Sequence, residues 1–379
     1  MMNPNEIKLD KYLRIMWQIN ASDLFITWNL EPSVKVNGTV RKIDDVILDD
    51  EAVNELVEET FYGRDDLRQQ YYTDWEANFA IERPDTGRFR VSCFWQLGHQ
   101  GVVFRRIVTE IPTIEQLKIP EVLRQLVMEK RGLVIFVGAT GAGKSTTQAA
   151  MIGYRNQTTE GHILTVEDPI EYVHQHARSI ITQREVGVDT KSFDAALKSA
   201  LREAPDVILI GEIRSEETMN YALSFAETGH LCMATLHANN ANQAIERIMH
   251  LVPESRHQQL LFDLAFNLKG VIAQQLVPTI DGNGRRAAFE ILLGTPVVKD
   301  TLLKGNLGEL KDIMKQSREA GMVTFDQSLF ELYSEGVISY DDALKFADSA
   351  NEVRLKIKLA NGTTDDEGGS LKDVSFYSS

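Results

Sequence analysis

Residues Gly138–Ser145, with the sequence Gly-Ala-Thr-Gly-Ala-Gly-Lys-Ser, have the types and spacing needed to bind phosphate. They fit the phosphate-loop pattern G-x-x-x-x-G-K-[ST], with an apolar run at 133–137 before them and a predicted helix over 145–154 after them. Glycines let successive N–H groups turn toward phosphate oxygens, and the helix start adds unpaired donors. We expect Lys144 to contact the β- and γ-phosphates and the Ser145 hydroxyl to bind Mg²⁺. The loop predicts a nucleoside triphosphate site.

An acidic residue ends each of two further apolar runs. The run at 207–210 leads to Gly211 and Glu212, and we expect it to lie beside the phosphate-loop strand in an open α/β sheet. Gly211 stands where the Walker B motif has a metal-binding Asp, so Glu212 is the predicted general base for water attack. The run at 162–167 ends in Glu167-Asp-Pro-Ile-Glu171, where the proline turns the chain out of the sheet. These carboxylates are candidates for binding Mg²⁺ or its waters, and capping or surface roles are the alternative for at least one of them.

Two histidines, His230 and His237, bracket the predicted strand at 231–236. Their spacing of seven places them at opposite ends and on opposite faces of that strand, which argues against a shared metal site. Sensing of the γ-phosphate by one of them and a purely structural role are both open.

Four arginines lie on two neighbouring predicted strands near the amino end of the chain: Arg88, Arg90, Arg105 and Arg106. Arg88 and Arg90 share a strand face, whereas Arg105 and Arg106 point in opposite directions. Arginines that face a γ-phosphate would stabilise charge in the transition state. Solvated strand arginines are the alternative.

The elements that must position these residues change character along the chain. Residues 1–107 read as a small α+β domain with antiparallel strands, including a hairpin at Asn37-Gly38, and 108–119 read as a linker. Strands alternate with helices over 120–295, which predicts a mostly parallel sheet with helices on both faces and an edge hairpin at its end. Residues 296–360 read as helical, and the polar, glycine-rich stretch 361–379 is predicted to be disordered.

Composition restricts the possible functions. The 379 residues are 43% hydrophobic and 25% charged, as in ordinary globular proteins. A net charge of −15 disfavours a nucleic-acid translocase. We expect no membrane span or signal peptide, because apolar runs of the required length are lacking. With two distant cysteines, Cys93 and Cys232, we expect a reduced protein.

Together, these motifs resemble those of the secretion ATPase superfamily of type II secretion and type IV pili. Gly138–Ser145 resembles its Walker A motif, 165–171 its Asp box, 208–214 its atypical Walker B motif and 226–237 its His box. The two cysteines exclude the four-cysteine zinc module usual in the assembly and secretion members. The chain therefore resembles the pilus retraction motors of the PilT/PilU group.

The segment after Pro296 indicates which branch of the retraction motors the chain resembles. Gly294-Thr-Pro296 is followed by Val-Val-Lys-Asp-Thr-Leu-Leu303 rather than the Ala-Ile-Arg-Asn-Leu type of sequence found in the main retraction motors. Residues 314–322, 348–354 and the added tail look like those of the accessory, PilU-like branch.

The resemblance implies a RecA-like P-loop NTPase core, a PAS-like N-terminal domain and a homo-hexamer that uses ATP and Mg²⁺. It implies catalytic roles for Glu212, Glu171, His230, Arg90 and Arg105, with His230 as the γ-phosphate sensor; whether Arg105 or Arg106 reaches the nucleotide stays open. Ser145 and Glu167 are the assigned metal ligands. The residues assigned to nucleotide binding are Gly138, Ala139, Thr140, Gly141, Ala142, Gly143, Lys144, Ser145, Thr146 and His237.

The function implied is an ATP-hydrolysing motor that powers or assists type IV pilus retraction. The expected partners are a PilT-like retraction ATPase and the inner-membrane platform protein of the pilus, and the expected location is the cytoplasmic side of the inner membrane. A ring-forming adaptor that binds ATP without doing work is the alternative.

Overall fold

The computed structural model describes residues 8–36, 38–107 and 110–360. The predicted disordered tail at 361–379, the first two linker residues and Asn37 of the predicted turn lie outside this part. The chain divides into two compact units. The N-terminal unit is Met1–Ile111 together with Pro169–Gln175 and Glu185–Lys191, and the core unit is the remainder.

The N-terminal unit is built on a six-stranded sheet with the strand order β3-β2-β1-β6-β5-β4, in which every neighbouring pair is antiparallel. Its elements are α1 (Lys8–Gln18), β1 (Asp23–Thr27), β2 (Ser33–Val36), β3 (Thr39–Lys42), α2 (Asp50–Thr60), α3 (Asp65–Asp74), β4 (Glu76–Arg83), β5 (Gly87–Gln96) and β6 (His99–Ile107). Phe89, Val91 and Cys93 alternate as buried residues along β5, as expected for a strand with one covered face. Leu9, Leu13 and other apolar residues of α1 join the same core.

The core unit is built on a seven-stranded sheet with the order β13-β12-β7-β11-β10-β8-β9. Its strands are β7 (Gly132–Val137), β8 (Gly161–Glu167), β9 (Ser179–Glu185), β10 (Val207–Ile210), β11 (Leu231–Leu236), β12 (Leu268–Pro278) and β13 (Arg285–Leu293). The pairs from β12 through β7, β11 and β10 to β8 are parallel, and β13 is an antiparallel edge strand. All residues of β7, β10 and β11 are buried, which explains their predominantly apolar sequences.

Twelve helices complete the described part of the core unit. They are α4 (Ile114–Leu117), α5 (Glu121–Val127), α6 (Lys144–Thr158), α7 (Phe193–Ala200), α8 (Glu216–Glu227), α9 (Ala241–Met249), α10 (His257–Asn267), α11 (Pro296–Lys304), α12 (Leu310–Gln316), α13 (Phe325–Ser334), α14 (Tyr340–Lys345) and α15 (Ala350–Ala360). Among the described residues, no helix is both long and apolar enough to cross a membrane.

The predicted α/β architecture is confirmed, with its antiparallel N-terminal sheet, mixed parallel core and C-terminal helices. The helix α3 and the strand β9 were not predicted from the sequence. Only Tyr71 of α3 is buried, so that helix has no apolar stripe to detect, and β9 is an edge strand with the polar end Thr-Gln-Arg-Glu. The expectation that the Glu212 strand lies beside the phosphate-loop strand is wrong, because β11 pairs with both β7 and β10 and separates them.

Two carboxylates are buried where the C-terminal helices meet the sheet. Glu290 on β13 is 1% exposed, and its Oε1 accepts the Ala241 N–H at the start of α9 over 2.9 Å. Asp326 on α13 accepts N–H groups from Asp348 and Ser349. The second oxygen of each carboxylate has no hydrogen-bond partner among the described residues. Burial raises the pKa of Glu290 to about 7, so this group gains its charge near neutral pH.

We expect Glu290→Gln to flatten the loss of stability on raising the pH from about 4.5 to about 7.5. The pKa of Glu290 is higher in the folded chain than in the unfolded chain, so its contribution is fully present below the ordinary value of 4.5 and is lost as pH rises from there through about 7. An uncharged amide does not titrate. The check is Tm against pH, with the exposed Glu335→Gln as the control that keeps the wild-type slope; parallel curves for wild type and Glu290→Gln would contradict the assignment.

Candidate nucleotide-binding site

The phosphate loop connects β7 to α6, as predicted. Gly138, Gly141 and Gly143 have φ angles of +145°, +79° and +85°, which L side chains rarely adopt. A Cβ on Gly138 would lie 2.4 Å from the Gln274 carbonyl oxygen. The glycines therefore provide both the curled backbone and the close approach to β12.

Gln274 of β12 supports the loop from the neighbouring strand. Its side chain is almost fully buried, and its Oε1 accepts the Thr147 hydroxyl over 2.8 Å. A Cβ on Gly143 would lie 2.8 Å from its Nε2. Gln274 was not predicted as a site residue; its signal in the sequence is a Gln-Gln pair inside a mostly apolar strand.

Lys144 lies inside the curve of the loop. Its Nζ donates to the carbonyl oxygens of Gly138 and Ala139 over 2.7 and 3.0 Å. Gly143 is the N-cap of α6, so Lys144, Ser145 and Thr146 form the first turn of that helix. The assigned residues 138–146 are therefore contiguous around one helix start, where unpaired N–H groups favour an anion.

Glu212 follows β10 and lies between two cationic or potentially cationic groups. Its Oε2 accepts Arg214 Nε over 2.7 Å, and its Oε1 lies 3.2 Å from Nε2 of His237. The Glu212 side chain is 18% exposed, so water can reach it. Arg214 also lies 3.7 Å from Asp168 Oδ2. A carboxylate held in this way can orient a water molecule and accept its proton.

Crowding against β8 favours glycine at position 211. A Cβ there would lie 3.0 Å from the Glu167 Cα and 3.1 Å from the Val166 carbonyl oxygen. The Gly211 N–H donates to the Val166 oxygen over 2.8 Å, and its own carbonyl oxygen accepts the Thr235 hydroxyl. The departure from the usual Walker B sequence therefore has a local steric cause.

Glu167, the second assigned metal ligand, ends β8. Its Oε1 accepts the Thr165 hydroxyl over 2.7 Å and the Gln183 amide over 3.4 Å. Among the described residues, no group of three His, Cys, Asp or Glu side chains is placed to hold a metal ion by itself. Such a set is not required for Mg²⁺, which is typically bound through one or two protein ligands, phosphates and water. The Ser145 hydroxyl, which has no hydrogen bond to another described residue, fits that role.

The two histidines of the His box lie at opposite ends of β11. Leu236 pairs with Val137, so His237 directly follows the strand beside the phosphate loop. Leu231 pairs with Gly132, so His230 lies at the amino end, where its Nδ1 is 3.1 Å from the Phe225 carbonyl oxygen. The six residues between them span about 20 Å at a rise of about 3.3 Å each. His237 is therefore the histidine beside the loop of its own chain, and the sensor role assigned to His230 stays a prediction.

A cavity of about 490 Å³ opens beside the loop. It is lined by Gly138 and Ala139, by His237–Asn239, and by Gln243, Glu246, Arg247 and His250. The cavity therefore joins the start of the phosphate loop, the His-box histidine and one side of α9. The start of α9 has a recognisable sequence signal, because Asn240 is its N-cap and accepts the Gln243 N–H.

The remaining assigned residues, Glu171, Arg90 and Arg105, belong to the N-terminal unit. Arg105 Nε donates to the buried Asp23 over 2.8 Å, and Arg106 donates to Asn20. Arg90 lies opposite Arg105 in the β5–β6 pair, and its side chain forms no hydrogen bond or ion pair with another described residue. Glu171 is exposed and likewise unpaired in the described part of the chain. Their catalytic roles stay predictions.

Comparison with known proteins identifies the relatives of this chain. Residues 74–326 match the family model "Type II/IV secretion system protein". The chain is 56% identical to the type IV pilus ATPase PilU of Pseudomonas aeruginosa over 96% of its length and 95% of the relative's. It is 40% identical to the retraction ATPase PilT of the same organism, over 85% of this chain and 93% of the relative.

The fold agrees with these sequence relationships. A crystal structure of the pilus retraction motor PilT with bound ADP superposes with a TM-score of 0.85 at 37% identity, covering 93% of this chain and all of that one. The ATPase DotB of Legionella pneumophila gives a TM-score of 0.75 at 26% identity, covering 95% of this chain and 98% of DotB. The predicted nucleotide-binding fold is therefore confirmed.

We expect His237→Ala and His230→Ala to have different effects on nucleotide affinity. Loss of a hydrogen bond to a charged phosphate at His237 should weaken binding of a non-hydrolysable ATP analogue roughly tenfold and leave ADP affinity unchanged. His230→Ala should leave the ratio of the two Kd values as in the wild type. Titration calorimetry measures the Kd of the ATP analogue and the Kd of ADP. If only His230→Ala lost the difference between these two Kd values, His230 rather than His237 would be the γ-phosphate sensor.

Proposed function

We propose a mechanism and a cellular role from one premise: the chain belongs to the type II/IV secretion system protein family, within its PilT/PilU group of pilus ATPases. It is a PilU-type ATPase. The residues that perform ATP hydrolysis, the metal requirement, the partners and the location are our proposals.

The observation that carries the mechanism is the grouping of Glu212, Arg214 and His237 at the strand ends next to the phosphate loop. Glu212 orients a water molecule for in-line attack on the γ-phosphorus and accepts its proton. Arg214 holds one carboxylate oxygen, which leaves the other to face His237 and the water. His237 reports the presence of the γ-phosphate to Glu212 because it contacts that carboxylate directly.

The loop residues hold the triphosphate. The N–H groups of 138–146 donate to phosphate oxygens, and Lys144 exchanges its two carbonyl partners for the β- and γ-phosphates. The Ser145 hydroxyl would hold Mg²⁺, which would offset phosphate charge. Glu167, whose Oε1 accepts hydrogen bonds from Thr165 and Gln183, would help to hold this ion or its waters from the end of β8.

Glu171 supplies a second catalytic acid, and Arg90 and Arg105 stabilise the charge of the transition state from the N-terminal unit. Hydrolysis drives rotation between the two units of a homo-hexamer, which powers or assists retraction of a type IV pilus. The motor acts with a PilT-like ATPase on the inner-membrane platform protein, from the cytoplasmic side. These assignments are supported by the similarity to PilU and PilT and by the resemblance of the Asp and His boxes.

We expect Lys144→Ala and Glu212→Gln to abolish ATP turnover for different reasons. Lys144→Ala removes the charge that binds the phosphates, so nucleotide affinity falls with kcat. Glu212→Gln removes only the base, so kcat falls about 100-fold or more while nucleotide still binds. Phosphate release and nucleotide binding are measured on the same assembled protein.

The matched control is Glu216→Gln, four residues further on, where the carboxylate pairs with Arg256 on the surface and turnover should be unchanged. Wild-type turnover in Glu212→Gln would refute the assignment of the base. Pilus retraction in cells that carry Glu212→Gln, combined with its loss on deletion, would favour the adaptor over the motor.

A further inference from the structure

Two segments of the core sequence belong to the N-terminal unit. Pro169–Gln175 carries Glu171 of the Asp box, and Glu185–Lys191 begins at the last residue of β9. Both are flanked on each side by residues of the core unit. Contacts within the N-terminal unit therefore help to determine the position of the Asp-box acid.

One buried carboxylate makes the central contact. The Glu185 side chain is 7% exposed, and its Oε2 accepts both the Ile170 N–H and Arg88 Nη2, each over 3.2 Å. Ile170 is itself buried and directly precedes Glu171. A single oxygen atom of Glu185 thus connects the backbone next to Glu171 with the guanidinium of Arg88.

The groups around Glu185 shift the pKa of its carboxyl group in both directions. Burial raises the pKa of the Glu185 carboxyl, Asp189 also raises it, and the charges of Arg88 and Arg90 lower it. Arg88 and Arg90 lie two residues apart on β5 and share a strand face. Arg88 uses its charge on Glu185, whereas Arg90 forms no ion pair with a described residue.

We propose that Arg88 and Glu185 are positioning residues that hold Glu171 and Arg90 as one rigid group. Glu185 fixes the backbone beside Glu171, and its ion pair with Arg88 ties that backbone to the strand that carries Arg90. The acid and the arginine therefore keep a constant spacing whenever the N-terminal unit moves. This inference rests on the proposed function, in which Glu171 and Arg90 act on ATP.

The test distinguishes loss of the Arg88–Glu185 ion pair from loss of the hydrogen bond to the Ile170 N–H. Glu185→Gln retains an oxygen that can accept the Ile170 N–H but loses the ion pair, and Arg88→Gln removes the same pair from the other side. We expect each to lower kcat about tenfold with the Kd of a non-hydrolysable ATP analogue within twofold of wild type. The double variant should be no worse than either single variant, because one interaction is lost in all three. Arg88→Lys keeps the charge and should recover part of the rate.

Glu203→Gln is the matched control. It removes the partner of Arg184, the residue before Glu185 on β9, from an ion pair of 3.0 Å that does not touch the Asp-box segment. Its kcat should stay within twofold of wild type. Wild-type kcat in Glu185→Gln would overturn the proposal. So would a tenfold loss of nucleotide affinity in Arg88→Gln alone, because Arg88 would then bind nucleotide directly.

Amide hydrogen exchange gives a readout that does not depend on turnover. Glu185→Gln and Arg88→Gln should speed exchange in the peptide covering 169–175, whereas Glu203→Gln should not. Unchanged exchange in both would overturn the proposal. If the proposed function were wrong, wild type and Lys144→Ala would have equal turnover. The hydrogen-exchange result would still decide whether the Arg88–Glu185 ion pair holds the Asp-box segment.

Discussion

The register of the central parallel strands is the constraint on which the site depends. Val137 pairs with Leu236, and Ile210 pairs with both Ala234 and Val166, so four strands end along one edge of the core sheet. The phosphate loop and His237 directly follow two of these ends, Glu212 lies two residues beyond a third, and Glu167 is the last residue of the fourth. A shift of one residue in any pairing would send its side chain to the other face of the sheet. The chemistry therefore needs a sheet core that is buried and close-packed enough to fix the register.

Close packing at the same edge explains the sequence of the site in detail. Gly138 and Gly143 are required because Gln274 approaches them, and glycine is favoured at position 211 because β8 lies against it. Charged groups at this edge contact polar or charged partners within the chain. Lys144 donates to loop carbonyls, and Glu212 lies between Arg214 and His237.

The division of the chain places functional groups in both units. The phosphate loop and Glu212 belong to the core unit, whereas Glu171, Arg90 and Arg105 belong to the N-terminal unit. The Asp box is thus split within five residues, with Glu167 and Asp168 in one unit and Glu171 in the other.

The sequence by itself determined the phosphate loop, the acid at the end of β10, the two-part architecture and the family. These features are local: a glycine-rich turn between strand and helix, or an apolar run with a terminal acid, can be recognised without knowing its neighbours in space. The motif resemblance also identified the retraction group, which the similarity to PilU and PilT confirms.

Only the tertiary structure decided which residues meet. Strand order is not encoded in local patterns, so the insertion of β11 between β7 and β10 could not be foreseen from the apolar runs. That insertion brings His237 to Glu212 and leaves His230 at the far end of the strand. Gln274 and Glu185 were missed for the same reason: each acts through partners distant in sequence, and a buried polar residue reveals its role only when those partners are seen to converge on it.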